Sequence, residues 1–161
     1  MKAGRDAPTT PLAMEEAMPG HAKATGQCLC GAVKITLTAD HTEIGICHCS
    51  MCRRWTGGPN MAINVGQDIE IEGKENVTAY RSSDWAERAF CRTCGSSLYY
   101  RMVEADAYIV YAGLLDDQSG LSLESQIFID EKPNFYDFAN ETKNMTGAEV
   151  LAMFAPPADN G

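Results

Sequence analysis

The chain has 161 residues and a formal net charge of −9, with 45% apolar and 22% charged residues, the balance of an ordinary soluble globular domain. The charge disfavours a nucleic-acid partner, whose phosphates need a field of Lys and Arg. No apolar run approaches the roughly 18 residues of a membrane span, and the N-terminus lacks the basic start and apolar stretch of a signal peptide, so the expected location is the cytoplasm, away from membranes. Seven cysteines in a reducing compartment, an odd number, point to metal rather than to a disulfide set.

Residues 1–25 are rich in Ala, Pro, Thr and Met, show no sustained period, and read as an N-terminal arm with Leu12, Met14 and Met18 as its docking contacts. The remainder, 26–161, reads as one mainly β domain of several small, strongly curved antiparallel sheets. Its first strand is expected over Gly26 to Ala39, where Val33, Ile35 and Leu37 alternate with Lys34, Thr36 and Thr38. Cys28 and Cys30 open that strand, so their sulfurs should share a side. A turn at Asp40 to Glu43 leads to Cys47 and Cys49, which repeat the one-face spacing, and a tight turn can bring Cys52 round to them. Gly57 and Gly58 then interrupt regular structure.

Short strands follow at Met61 to Val65, Ile69 to Ile71 and Val77 to Tyr80, without helical periodicity. Arg88 to Tyr100 holds the Cys91–Gly95 turn, Ala107 to Leu115 and Ser125 to Ile129 are β-rich, and Gly147 to Phe154 is one short helical candidate. No internal repeat or linker divides the chain.

The cysteines fall into two sets. Four thiolates close a tetrahedral zinc site and make it structural, whereas three leave a position for water or substrate. Cys91-x-x-Cys94-Gly95 has the form of a zinc knuckle, and a closed site needs two more thiolates, for which Cys28 and Cys30 are the natural partners. An exchanged pairing, or a free Cys28 thiol, is the competing arrangement.

Cys47, Cys49 and Cys52 are left for a second zinc with one open position. On extended backbone His48 faces away from its neighbours' sulfurs, which suits a supporting or surface role; His41 lies in a turn and His21 in the arm. Three thiolates and Zn²⁺ carry one net negative charge, which blunts water activation. Such a centre suits capture of a substrate thiol as a nucleophile.

Arg53, Arg54, Arg88, Arg92 and Arg101 fall on or beside the clusters of this acidic chain. Glutathione is the abundant cytosolic thiol, and Arg53 and Arg54 can pair with its carboxylates through parallel hydrogen bonds. No general base is evident beyond His48.

Three motifs, Gly26-Gln-Cys28-Leu-Cys30-Gly31, Cys47-His-Cys49-Ser-Met-Cys52-Arg53-Arg54 and Phe90-Cys91-Arg-Thr-Cys94-Gly95-Ser96, in this order, resemble the glutathione-dependent formaldehyde-activating enzyme family, which includes centromere protein V. The resemblance spans about residues 26–140 and implies a β-tent fold stapled by zinc. It also implies a structural zinc on Cys28, Cys30, Cys91 and Cys94 and a second on Cys47, Cys49 and Cys52, the latter associated with joining glutathione to formaldehyde. The sequence departs from the family where Gln126 and Phe135 stand in place of an expected His and Trp.

Two functions follow as expectations. One is a zinc-dependent carbon–sulfur lyase making or cleaving an adduct between glutathione, or a similar small thiol, and a small aldehyde. The other is a non-enzymatic two-zinc scaffold for a thiol, a metal or a protein. A second copy of the chain, as a homodimer, is compatible with both.

Overall fold

A computed structural model describes residues 23–154. Most of the expected arm, including Leu12, Met14, Met18 and His21, lies outside them. Eleven strands form two sheets among the described residues. The smaller contains β1 (Thr25–Gln27), β2 (Lys34–Leu37) and β5 (Ile69–Glu72), in the order β1-β2-β5.

The larger contains β3 (Glu43–Cys47), β4 (Asn60–Gly66), β6 (Val77–Arg81), β7 (Ala86–Cys91), β8 (Ser97–Met102), β9 (Ala107–Tyr111), β10 (Ser122–Ile127) and β11 (Lys143–Met145). Its order is β11-β10-β3-β4-β9-β8-β7-β6. Among the described residues there are two short α-helices, α1 (Ser50–Thr56) and α2 (Gly147–Met153).

The alternation read in residues 33–38 is real: Val33, Ile35 and Leu37 are fully buried. They pack with Ile63 and Val65 of β4, Leu98 of β8, Val110 of β9 and Leu115, which makes one core between the small sheet and the large one. Gly26 lies against the backbone at Leu114, where an added Cβ would stand 2.3 Å from the carbonyl oxygen, so only glycine lets β1 cross there.

Four expectations are corrected. The stretch 26–39 is two strands, because Gly31 at φ +76° turns the chain and Cys28 N–H donates to the Val33 carbonyl. The sheets are one of three strands and one of eight, not several small ones. Nor are they wholly antiparallel: β10 runs parallel to both β3 and β11. The turn expected to carry Cys52 is helix α1, begun by Cys49, whose sulfur accepts from Cys52 N–H, and closed by Gly57 in the left-handed region.

The parallel pairing of β10 with β3 matters for the site. It sets Gln126 beside Ile46 and Ile127 beside Cys47, a juxtaposition of residues eighty apart that local periodicity does not encode.

Candidate metal centres

The first cluster is built from two matching turns. In one, Gly31 N–H donates to the Cys28 carbonyl; in the other, Gly95 N–H donates to the Cys91 carbonyl. Gly31 and Gly95 both take positive φ, which lets each turn fold back under its cysteines. Leu29 N–H reaches across to Ser96 Oγ at 3.0 Å and ties the turns together.

The sulfurs of Cys28, Cys30, Cys91 and Cys94 lie within 4.8 Å of one another, with Cys28 to Cys30 at 3.6 Å and Cys30 to Cys91 at 3.8 Å. Cys28 and Cys91 are buried, Cys94 is half-buried and Cys30 is exposed. Hydrogen bonds from Ser96 hold the Cys94 thiol down to about 5. The pairing of Cys28 and Cys30 with Cys91 and Cys94 is thus the one the fold assembles.

The second cluster joins Cys47 at the end of β3, Cys49 at the start of α1, and Cys52 within α1, also within 4.8 Å. Hydrogen bonds from Cys47 and Cys52 hold the Cys49 thiol down to about 2, and the thiols of Cys49 and Cys52 push Cys47 up. The protein alone therefore keeps one thiolate there at its neighbours' expense. A divalent cation lets all three ionise, so this donor set fits zinc. Among the described residues no fourth ligating side chain joins it.

His48 sits between two of these cysteines and is fully buried, which excludes the surface role. Gln126 Oε1 can only accept, so His48 Nε2–H donates to it at 2.8 Å and His48 Nδ1 accepts from the Tyr136 hydroxyl at 2.8 Å. Gln126 Nε2 in turn donates to Thr142 Oγ1. Burial pushes the imidazole below its ordinary value, so it stays neutral. With both nitrogens occupied, His48 has no lone pair left to act as a base at the cluster. The Gln at 126 completes a buried network that locks the loop between Cys47 and Cys49.

The arginines separate. Arg53 Nε donates to the His48 carbonyl at 2.8 Å, bracing α1 against the segment between Cys47 and Cys49. Arg54 is exposed on α1.

Arg88 reaches the cluster: it is 4% exposed, donates to Cys52 Sγ at 3.2 Å through one terminal nitrogen and to Ser82 Oγ at 2.7 Å through the other, and lies over the Tyr100 ring at 5.0 Å. Burial opposes its charge, but the adjacent Cys52 sulfur outweighs that and raises its pKa. Asn60, opposite Cys47 in the β3–β4 register, is buried and donates to Cys52 Sγ at 3.8 Å.

Sequence reading placed Arg88 only in the general basic neighbourhood and passed over Asn60. One signal was available for Arg88. It follows Ala86 by two on a strand, so it occupies an inward position where a charge needs a partner.

A mainly β domain with one four-cysteine and one three-cysteine cluster is a candidate double-metal protein with one closed and one open site. The profile of the glutathione-dependent formaldehyde-activating enzyme family matches residues 23–131, and the chain belongs to that family. An uncharacterized lyase of Schizosaccharomyces pombe is 37% identical over 127 residues, 78% of this chain and 93% of the relative. A Halomonas elongata protein, provisionally named a glutathione-dependent formaldehyde-activating enzyme, is 34% identical over 83 residues, 46% of this chain and 53% of that one. A crystal structure of a Rhodobacter sphaeroides protein, 30% identical, covers 62% of this chain and 98% of its own with a TM-score of 0.47. No helix among the described residues is long and apolar enough to cross a membrane.

Proposed function

We propose that this protein is a zinc-dependent carbon–sulfur lyase of the S-(hydroxymethyl)glutathione synthase type, forming or cleaving an adduct between glutathione, or a similar small thiol, and a small aldehyde such as formaldehyde. The observation that carries this reading is the asymmetry of the clusters: four sulfurs complete one donor set, while the other offers three with Arg88 against one of them. On this reading Cys28, Cys30, Cys91 and Cys94 hold a structural zinc. Cys47, Cys49 and Cys52 would hold a second, which would supply a soft Lewis acid able to favour the thiolate form of a substrate thiol.

The chain's own residues supply the rest. Arg88 offsets the negative charge of three thiolates, which favours binding of a further anionic sulfur. The His48, Gln126 and Tyr136 network fixes the backbone from which Cys47 and Cys49 project. Arg53 and Arg54 bind the carboxylates of the thiol substrate. In Arg53 the Nε is already committed to the His48 carbonyl, which leaves its terminal nitrogens for that task. The domain from residue 26 onward acts as one catalytic unit, and its reduced thiols suit the cytoplasm.

The experiment is thiol and aldehyde consumption with zinc content followed in parallel. The expected result is two zincs per chain, and loss of free formaldehyde that requires glutathione and exceeds the uncatalysed rate. Two zincs with no catalysed loss of any small aldehyde would leave the scaffold reading in its place.

A further inference from the structure

Among the described residues three buried side-chain polar atoms lack a hydrogen-bond partner: Trp55 Nε1, Asn60 Oδ1 and Arg88 Nε. A buried polar atom left unpaired is costly, so each of the three calls for a reason. Two of them belong to side chains that reach Cys52, and the third, on Trp55, lies one helical turn beyond it on α1. Arg88 and Asn60 each donate to its sulfur through another nitrogen. Trp55 is three residues further along α1, on the same helix face, with the Tyr111 hydroxyl near its indole N–H. Its ring is stacked on Tyr80 at 6.4 Å and edge-on to Phe90 at 5.9 Å, so the N–H cannot turn away to find another partner.

The unmet set is two donors and one acceptor. A carbonyl oxygen accepts two hydrogen bonds, and after addition it becomes a hydroxyl with one hydrogen to donate. We propose that Trp55, Asn60 and Arg88 form the subsite for the electrophile's oxygen. The Arg88 Nε–H and Trp55 Nε1–H donate to the carbonyl oxygen, and Asn60 Oδ1 accepts from the hydroxyl it becomes. This rests on the thiol-adduct reading above.

In the step itself the substrate sulfur attacks the carbonyl carbon, a C–S bond forms, and the π pair of the C=O moves onto oxygen. The oxygen takes one proton from solvent, matching the one the thiol gave up. Thiol plus aldehyde becomes a hemithioacetal with nothing left over, and the lyase direction runs the same step backwards. The two donors stabilise the charge as it develops on oxygen, where fixed donors count most. Because the three atoms are buried, the electrophile has to be small.

Formamide tests this without turnover, since it carries one carbonyl acceptor and an N–H donor and is inert to thiols. The chain has two tryptophans. Trp85 is exposed and already donates to the Tyr100 hydroxyl, so its indole N–H resonance serves as a reference. In zinc-loaded protein, formamide should shift the Trp55 indole resonance saturably and leave that of Trp85 in place. Asn60→Ala and Arg88→Lys should abolish saturation with zinc content unchanged. Both, and the mild Trp55→Phe, should lower kcat for adduct formation, on the order of 100-fold for a lost donor to the oxygen, with little change in the KM for glutathione.

The absence of a saturable shift at Trp55 overturns the proposal. So does wild-type turnover in all three variants at full zinc. A saturable shift without aldehyde consumption by the wild type keeps the carbonyl subsite and sinks the adduct reaction. Catalysis with a silent Trp55 does the reverse.

Discussion

The two cysteine clusters use the same side chain for different ends, and their surroundings show why. Around Cys28, Cys30, Cys91 and Cys94 the partners are backbone turns and the Ser96 hydroxyl, and the sulfurs join β1–β2 to β7–β8. Around Cys47, Cys49 and Cys52 the partners are a buried guanidinium, a buried amide and a buried neutral histidine network. The first arrangement satisfies everything it buries. The second leaves polar atoms unmet, a cost that a frame has no reason to carry and a binding site does.

This contrast predicts unequal mutational effects. The largest belongs to the frame: Cys91→Ser should cost more than about 5 kcal/mol and leave little cooperatively folding protein, because a metal held there, as proposed, would be part of folding. A thermal melt with zinc content checks it, and a near-native melt would erase the distinction between the clusters. Next, Cys52→Ser should keep the cooperative melt, drop bound zinc from about two to about one per chain, and lower adduct formation more than about 100-fold.

A third change breaks the frame without touching a ligand. Gly73 has φ +74° and lies so close to Ala32 that an added Cβ would stand 2.0 Å from its carbonyl oxygen, beside the Cys28–Gly31 turn. Gly73→Ala should cost several kcal/mol, about the scale of a forced backbone clash, and weaken zinc retention by the four-cysteine site first. Chelator competition read site by site, with cobalt in place of zinc, resolves the order of loss.

A smaller effect is expected at the other cluster. Glu131 Oε2 accepts from Ser50 N–H at 2.9 Å and steadies the start of α1. Glu131→Ala should cost about 1 kcal/mol and speed metal loss from the three-cysteine site alone.

The smallest lies away from both clusters. Thr146 caps α2, and Glu149 returns the bond to Thr146 N–H, which lowers the Glu149 pKa. A carboxylate with its folded pKa depressed stabilises above its unfolded value, and that stability is lost as pH falls through the folded value. Thr146→Ala should therefore cost about 1 kcal/mol at neutral pH, lose part of that difference in mild acid, and leave both metal sites intact. Denaturant unfolding at two pH values measures it.

Much of this was legible in the sequence because it is local. The Val33, Ile35 and Leu37 alternation survives folding because a period of two holds for any strand with one buried face. The four-plus-three division of the cysteines also came from spacing, since a C-x-x-C turn followed by glycine has few ways to fold. The split of the first strand by Gly31 was not legible, because a glycine is permitted within a strand as well as in a turn.

What only the tertiary structure decided is which charge meets which sulfur. Arg53 and Arg54 adjoin Cys52 in the chain, yet α1 turns Arg53 to brace the His48 carbonyl. The guanidinium on Cys52 comes from Arg88, thirty-six residues on, across the sheet. Gln126 likewise meets His48 only because β10 pairs in parallel with β3. Spacing fixes ligands that share a turn; contacts between strands depend on sheet order, and sheet order is a property of the whole core.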